Sequence, residues 1–165
     1  MRFAPRCGQL RPLFLAELTR MHAPAIAKRW TDCPVYQISP NDSNYFALLF
    51  DEQGEGANAV AVIEIFRHGG ATPPNSHRVA HEMFFVLHGE GQAIVDGTTT
   101  ELRAGNALLV KPGASHVVRN TGSSKLYCLT VMTPDEDFGQ LIRRGQRVAL
   151  DEEDLRILSQ TFLPV

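Results

Sequence analysis

The hydrophobic pattern changes twice along the chain. Up to about residue 34, apolar side chains recur at the spacing of a helix, as they do at Leu10, Leu13, Phe14, Leu18 and Met21. From about residue 36 to residue 133, short apolar runs follow one another closely, separated by glycine and proline turns. After residue 134 the helical spacing returns. The pattern therefore predicts a central β-domain between two helical segments.

The central zone carries the signals of short β-strands. The predicted strands are Tyr45–Phe50, Ala59–Arg67, Met83–Leu87, Gln92–Val95, Thr98–Leu102, Ala107–Lys111, His116–Arg119 and Lys125–Thr133. Between two of them, Asp96-Gly97 is typical of a two-residue hairpin turn. Many short strands with almost no helix between them predict an all-β domain, an antiparallel barrel or sandwich. The aromatic residues expected in its core are Phe46, Phe66, Phe84, Phe85 and Tyr127.

Two helices are predicted after the strands. The acidic residues 135–137 complement the dipole at the start of the first helix, and Gly145 marks its end. Residues 151–153 open the second helix, in which we expect Leu155, Leu158 and Phe162 to face inward. The chain is thus divided into an N-terminal helical arm (residues 1–36), a β-barrel (residues 37–133) and a C-terminal helical segment (residues 134–165).

Length and composition fit one globular domain. A chain of 165 residues buries about two thirds of its unfolded surface and needs no disulfide or metal to be stable. Its net charge of −2 gives no reason to expect nucleic acid or an anionic membrane as a partner. No apolar run approaches the ~20 residues that a membrane-spanning helix needs, so we expect no membrane association.

Cysteine usage and the N-terminal stretch predict a cytoplasmic location. Cys7, Cys33 and Cys128 are widely spaced and form no CxxC pair, which argues against a thiolate zinc site and against a disulfide framework. The basic N-terminal stretch lacks the continuous apolar segment of a secretory signal. We interpret it as a solvated arm or a first helix in preference to a transit peptide.

Three potential metal ligands lie at the ends of predicted strands. His77 follows a Pro-Pro loop, Glu82 precedes a strongly apolar run, and His116 follows a Pro-Gly turn. A carboxylate at the edge of a buried strand requires a cation or a hydrogen-bond partner. Two imidazoles and one carboxylate leave coordination positions open and suit Fe(II); zinc is also consistent, and manganese and nickel remain open.

The residues around these ligands resemble the two motifs of the cupin superfamily, G(X)5HXH(X)3–4E(X)6G and G(X)5PXG(X)2H(X)3N. The first spacing is followed by Gly69, Asn75-Ser76-His77, Glu82 and Gly89; the second by Gly105, Lys111-Pro112-Gly113, His116 and Asn120. The fifteen residues between Gly89 and Gly105 are typical of short members. The resemblance implies an antiparallel double-stranded β-helix, that is, a jelly-roll barrel, with a metal site on His77, Glu82 and His116.

Two positions depart from the motifs. Asn75 stands where the first motif has a histidine, and Lys111 stands where the second has a proline. The site is therefore reduced to three strong ligands, while Asn75 either touches the metal or hydrogen-bonds a bound water. His81 is a rival for the missing ligand, although in a regular strand it would face away from Glu82. Glu64 is expected to point outward, with an inward acid or base as the alternative.

Three classes of function are compatible with these residues. The hypothesis we favour is a metal-dependent dioxygenase acting on a small organic molecule. The alternative is a non-catalytic module that binds or senses a small ligand and has weakened or lost its metal, which the asparagine at position 75 favours. A metal-free sugar isomerase or epimerase would need a His–Asp or Tyr pair, and the metal motifs argue against it. Members of the family resembled often dimerise, so we predict a homodimer.

Overall fold

The computed structural model describes residues 24–162, and the predicted helix around Leu10–Met21 lies outside them. The strands are β1 (Val35–Gln37), β2 (Asn44–Phe50), β3 (Val60–Phe66), β4 (His81–His88), β5 (Glu90–Val95), β6 (Thr98–Arg103), β7 (Ala107–Val110), β8 (His116–Asn120), β9 (Leu126–Thr133) and β10 (Gln146–Arg147). The helices are a 3-10 turn at Trp30–Asp32, α1 (Glu52–Glu55), α2 (Phe138–Arg144) and α3 (Glu152–Phe162). Each predicted strand is present, with ends within about two residues of the expected ones.

The strands form two antiparallel sheets. The larger sheet has the order β10-β1-β2-β3-β9-β4-β7, and the smaller has the order β6-β5-β8. The Asp96-Gly97 hairpin joins β5 to β6, with both residues at positive φ as a tight hairpin turn requires. The all-β, double-stranded β-helix fold expected from the motifs is confirmed.

The interior of the barrel is filled by alternate residues of the strands. Phe66 on β3, Phe84 and Val86 on β4 and Cys128 on β9 belong to one buried cluster. The other face of the larger sheet is also buried where α3 covers it, because Ile63 on β3 packs in a cluster with residues of that helix. Since β3 is buried on both faces, its sequence pattern alone cannot show which residues face the interior.

The sheet extends beyond the predicted barrel at both ends. β1 begins at Val35, and the short strand β10 pairs with it although it lies within the predicted C-terminal helical segment. The chain enters β10 through Gly145, where a Cβ atom would overlap the backbone carbonyl of Gln37. The glycine at the end of α2 therefore permits a close approach of two backbones.

Helix α3 is attached to the sheet by a buried polar cluster. The Asp154 carboxylate accepts hydrogen bonds from the hydroxyls of Tyr45 and Tyr127 and from the ammonium of Lys125, each at about 2.9 Å. Two of the three inward positions predicted for this helix are wrong, because Leu155 and Phe162 are 45% and 47% exposed. The hydrogen bonds of Asp154 fix the orientation of α3, and the spacing of the apolar residues in this helix did not indicate that orientation. None of the helices in residues 24–162 is long and apolar enough to cross a membrane.

Candidate metal centre

His77, Glu82 and His116 meet at one end of the barrel interior. Nε2 of His116 lies 2.8 Å from Oε2 of Glu82, and Nε2 of His77 lies 3.0 Å from the same oxygen. One potential ligand atom from each residue lies within 4.8 Å of the other two. His116 and Glu82 are 1% and 5% exposed. The three residue types that the motifs single out are therefore close enough to share one ion.

Local pairing of the backbone brings these side chains together. Glu82 is the second residue of β4 and pairs with Val110 on one side and with Met132 on the other. The loop that carries His77 is bound to the turn before β8, because the N–H of Gly113 donates to the carbonyl of His77 at 2.7 Å. The loop and two strands thus hold the three side chains from separate parts of the chain.

Electrostatics in the cluster favour a negative Glu82 and positive charge beside it. Burial alone would raise the pKa of the Glu82 carboxyl, but hydrogen bonds from His116 and His77 outweigh it and hold that pKa below its ordinary value. The hydrogen bond to Glu82 raises the pKa of His77, against the effect of burial. An ionised carboxylate that faces two imidazoles is a site for positive charge, which protons or a cation can supply.

Asn75 lies beside the cluster with one polar atom unsatisfied. Its backbone forms an isolated antiparallel bridge with His116, and its side-chain nitrogen donates to the carbonyl of Pro73 at 3.1 Å. Its Oδ1 is buried and has no hydrogen-bond partner among the described residues. Asn75 also lines the same cavity as the three proposed ligands. An unsatisfied buried acceptor at this place fits a cation or an ion-bound water.

His81 does not join the cluster. It is the first residue of β4, directly before Glu82, and its side chain is exposed whereas that of Glu82 is buried. Successive side chains of a strand point to opposite faces, which explains the separation. Asn75 is therefore the residue that the structure places next to His77, Glu82 and His116.

Glu64 faces the interior, so the predicted outward position is wrong. Its side chain is 2% exposed and lies on the wall of the same cavity as the cluster. Oε1 accepts a hydrogen bond from Asn44 Nδ2 at 2.7 Å, and Oε2 accepts one from Thr130 Oγ1 at 3.0 Å. Burial, together with the charge of Glu82, raises the pKa of Glu64 to about 8. Sequence reasoning missed this position because both faces of β3 are buried.

The cavity beside the cluster has a volume of about 260 Å³. Its apolar wall includes Ile38, Phe46, Phe84, Phe138 and Leu141. Its polar wall consists of Ser39, Asp42, Asn44, Glu64, Thr72, Asn75, His77, Glu82 and His116. Among the described residues that line it there is no lysine or arginine. The space suits a molecule at the small end of the range for protein ligands.

A residue that sequence reasoning did not single out holds the loop between His77 and Glu82. The carboxylate of Glu136 accepts hydrogen bonds from the backbone N–H groups of Arg78, Val79 and Ala80 at 3.1, 2.5 and 2.7 Å. These bonds hold the pKa of Glu136 below its ordinary value. The acidic residues 135–137 were interpreted only as a helix start, yet this one fixes the loop that carries a proposed ligand.

Comparison with known proteins agrees with the architecture. Residues 62–132 match the family model described as "Cupin domain". No curated protein sequence was found that matches the chain. Among solved structures, a predicted oxalate decarboxylase from Thermotoga maritima is 23% identical, with a TM-score of 0.60 over 66% of this chain and 99% of that one.

Two further structures have the same fold. The cupin domain of Schizosaccharomyces pombe Cnp3 is 18% identical, with a TM-score of 0.57 over 71% of this chain and 81% of that one. An RmlC-like cupin from Shewanella frigidimarina is 23% identical, with a TM-score of 0.54 over 65% of this chain and 89% of that one. Such identities indicate a common fold and leave the activity open. The match over residues 62–132 and the shared barrel identify a cupin domain in this chain.

Proposed function

We propose that this protein is a metal-dependent cupin that acts on a small organic molecule, with His77, Glu82 and His116 holding a divalent ion. The proposal is supported chiefly by the convergence of two imidazole nitrogens on one oxygen of Glu82, at 2.8 and 3.0 Å, beside a cavity. Nitrogen and carboxylate donors in this ratio suit Fe(II) and are compatible with Mn, Ni and Zn. The unsatisfied Oδ1 of Asn75 supports an ion or its bound water at the same place.

The reaction class we propose is oxidation by dioxygen, for example the cleavage of a ring or of a C–C bond. A bound ion of suitable redox chemistry would supply coordination positions for substrate and dioxygen. The chain's own residues supply charge and shape: Glu82 balances the charge of the cation, and Phe46 and Phe84 form an apolar wall that excludes water and orients the substrate. The volume of the cavity restricts the substrate to a small molecule.

Metal content and metal uptake test this proposal. Protein purified without a metal-affinity step is analysed for Fe, Mn, Ni and Zn, and the metal-free protein is then titrated with each ion in a calorimeter. An ion present at about one hundred times its dissociation constant stabilises the fold by about 2.7 kcal/mol. That corresponds to a rise of roughly 5–11 °C in melting temperature for a domain of this size.

Matched histidine variants locate the effect. We expect His116→Ala to abolish both the uptake and the thermal shift, whereas His81→Ala retains them because His81 is exposed and outside the cluster. Protein that contains none of the four metals and takes up none on titration contradicts the proposal.

A second candidate function is a barrel that binds or senses a small ligand without chemistry. It is favoured by Asn75, which offers an amide oxygen where the motif that the chain resembles has a histidine. An amide oxygen binds transition metals more weakly than an imidazole does. Ligand binding that is unchanged in His116→Ala, together with no turnover, would favour this function over metal chemistry.

We also propose that the protein is a cytoplasmic homodimer. Phe85 and Leu109 are 38% and 57% exposed and lie on neighbouring strands, β4 and β7, of which β7 is at the edge of the larger sheet. Phe85 was predicted in the core, and that prediction is wrong. Exposed apolar side chains at one edge are typical of an association surface. A monomer mass in light scattering at micromolar concentration would refute the dimer.

A further inference from the structure

Glu64 is a buried carboxyl group that the fold does not require. Its neighbours on the same face of β3 are apolar, Val62 and Phe66, and both are fully buried. Among the described residues no cation pairs with Glu64, and its side chain accepts hydrogen bonds from the neutral groups of Asn44 and Thr130. A carboxyl group buried without a cation destabilises a fold, and a residue of this kind in a cavity is a candidate for function.

The charge of the cavity restricts the ligand that Glu64 can meet. Three carboxyl groups line it, those of Asp42, Glu64 and Glu82, and no lysine or arginine lies among the described residues of the wall. A ligand that enters as an anion would lie near the carboxyl groups of Asp42 and Glu64, in addition to that of Glu82, which balances the charge of the ion. A neutral ligand with an acidic hydroxyl avoids this repulsion, and a bound ion would stabilise the anion that the ligand forms inside the cavity.

We infer that Glu64 accepts and returns the proton of a small neutral ligand that carries an acidic hydroxyl, of the enol or phenol class. The inference rests on the proposed metal site. In the forward step the O–H bond of the ligand breaks, its electron pair stays on the ligand oxygen, and the proton forms a new bond to a carboxylate oxygen of Glu64. The reverse step returns the proton, so no charge enters or leaves the cavity.

The surroundings of Glu64 suit both protonation states. Asn44 donates to Oε1, and the hydroxyl of Thr130 can donate to an ionised carboxylate or accept from a protonated one. The charged groups that act on Glu64 are Glu82 on β4, which raises its pKa, and His116 on β8, which lowers it. A pKa of about 8 lies near neutral pH, where exchange of a proton in both directions is efficient.

Counting protons during ligand binding tests the inference. Zinc-loaded protein, which is redox-inert, is titrated with catechol under argon in two buffers of different ionisation enthalpy at about pH 8.5. At this pH Glu64 is ionised, because a bound cation lowers its pKa from the metal-free value of about 8, while free catechol is still neutral. For wild type we expect close to no net proton release, because the proton passes to Glu64. For Glu64→Gln we expect release of about one proton, because an amide cannot accept it.

The dependence of affinity on pH gives a second readout. Below the pKa that Glu64 has in the zinc-loaded protein, affinity for catechol rises about tenfold per pH unit in both proteins, since the bound anion must release a proton to solvent. Above that pH the wild-type affinity levels off, whereas that of Glu64→Gln continues to rise up to the pKa of catechol. Azide, which binds as an anion and gives up no proton, is expected to show no rise of affinity with pH in either protein. Where Glu64 is ionised, azide should bind Glu64→Gln more tightly than wild type, because the variant lacks the repelling carboxylate.

Control variants separate this inference from the metal site. Asp42→Asn makes the same change of atoms on another carboxyl group of the cavity and is expected to keep the wild-type proton count. Should Glu64→Gln fail to fold, Asn44→Leu is used: it removes a hydrogen bond that lowers the pKa of Glu64, so the levelling-off moves to higher pH. An unmoved onset in that variant overturns the inference.

The outcomes distinguish the two proposals. Wild-type protein that takes up no zinc overturns the metal site and the inference with it. Protein that binds zinc but not catechol overturns the ligand class. Equal proton counts for wild type and Glu64→Gln overturn the role of Glu64 while the metal site stands.

Discussion

Replacing Glu64 with glutamine is expected to stabilise the metal-free protein at alkaline pH. In the unfolded chain the pKa of this carboxyl returns to its ordinary value of 4.5, whereas in the folded protein it is about 8. Between these values the unfolded state binds fewer protons than the folded state, so stability falls as pH rises. The contribution of Glu64 is therefore most favourable at acid pH and is lost progressively up to about pH 8.

The size of the effect follows from the same two values. Each pH unit in that window lowers the free energy of unfolding by up to about 1.36 kcal/mol. Between about pH 5 and pH 8 the wild-type protein should therefore lose about 3 kcal/mol that Glu64→Gln does not lose. This is a large share of the stability of a typical domain, which is about 5–15 kcal/mol.

Urea denaturation of both proteins at about pH 5 and pH 8, with a chelator present, measures this difference. Groups common to both proteins cancel when the two are compared at each pH. Glu52→Gln is a matched control, because Glu52 is exposed in α1 and its substitution should change stability by less than about 0.5 kcal/mol at either pH. If the difference between wild type and Glu64→Gln is the same at both pH values, Glu64 does not titrate in a buried environment and the reasoning fails.

Three further predictions concern other parts of the molecule. Asp154→Asn should lower the free energy of unfolding by about 1.5–3 kcal/mol, because two tyrosine hydroxyls and Lys125 lose a charged hydrogen-bond partner while Lys125 keeps its ion pair with Asp151. Chemical denaturation followed by the fluorescence of the single tryptophan measures this, and Glu152→Gln on the same helix should change the stability little. Glu136→Gln should weaken zinc binding roughly tenfold in calorimetry while the fold is retained, because the loop that carries His77 loses its carboxylate; an unchanged affinity would contradict this positioning role. Acid should also loosen that loop. Hydrogen bonds hold the pKa of Glu136 low, so the stabilising contribution of its carboxylate is present at neutral pH and is lost as pH falls through the folded-state pKa. Hydrogen exchange of residues 78–80 would detect this loss.

A carboxyl group that destabilises the fold and lies in a ligand cavity is typical of a functional site. Packing alone would favour an apolar residue at position 64, because its neighbours on the same face of β3, Val62 and Phe66, are apolar and fully buried. Retaining an acid between them lowers stability, and natural proteins commonly accept such a loss where activity needs it. The stability measurement tests whether Glu64 titrates in a buried environment, and the proton count independently tests whether it accepts a proton from the ligand.

The sequence by itself determined the barrel and the set of proposed ligands. Short strands separated by glycine and proline turns are a local property, so β2 to β9 could be located without knowing how they pair. The spacing around His77, Glu82 and His116 is also local, and in the structure Glu82 and His116 lie at the starts of strands while His77 lies in the loop before β4. Their proximity then followed from the resemblance to a known family of barrels.

Tertiary structure alone decided which side chains share the cavity. Glu64 was assigned to the wrong environment because alternation on a strand indicates a face only when one face is exposed, and β3 is buried on both. Phe85 was assigned wrongly for another reason: residues 83–87 are all apolar, so their sequence does not show that β4 alternates between a buried and an exposed face. The bonds from Glu136 to the loop at residues 78–80 join positions more than fifty residues apart and leave no periodic trace in the sequence. Contacts between distant segments depend on how the sheets close around the interior, and it is this closure that places a proton-accepting group beside the proposed metal site.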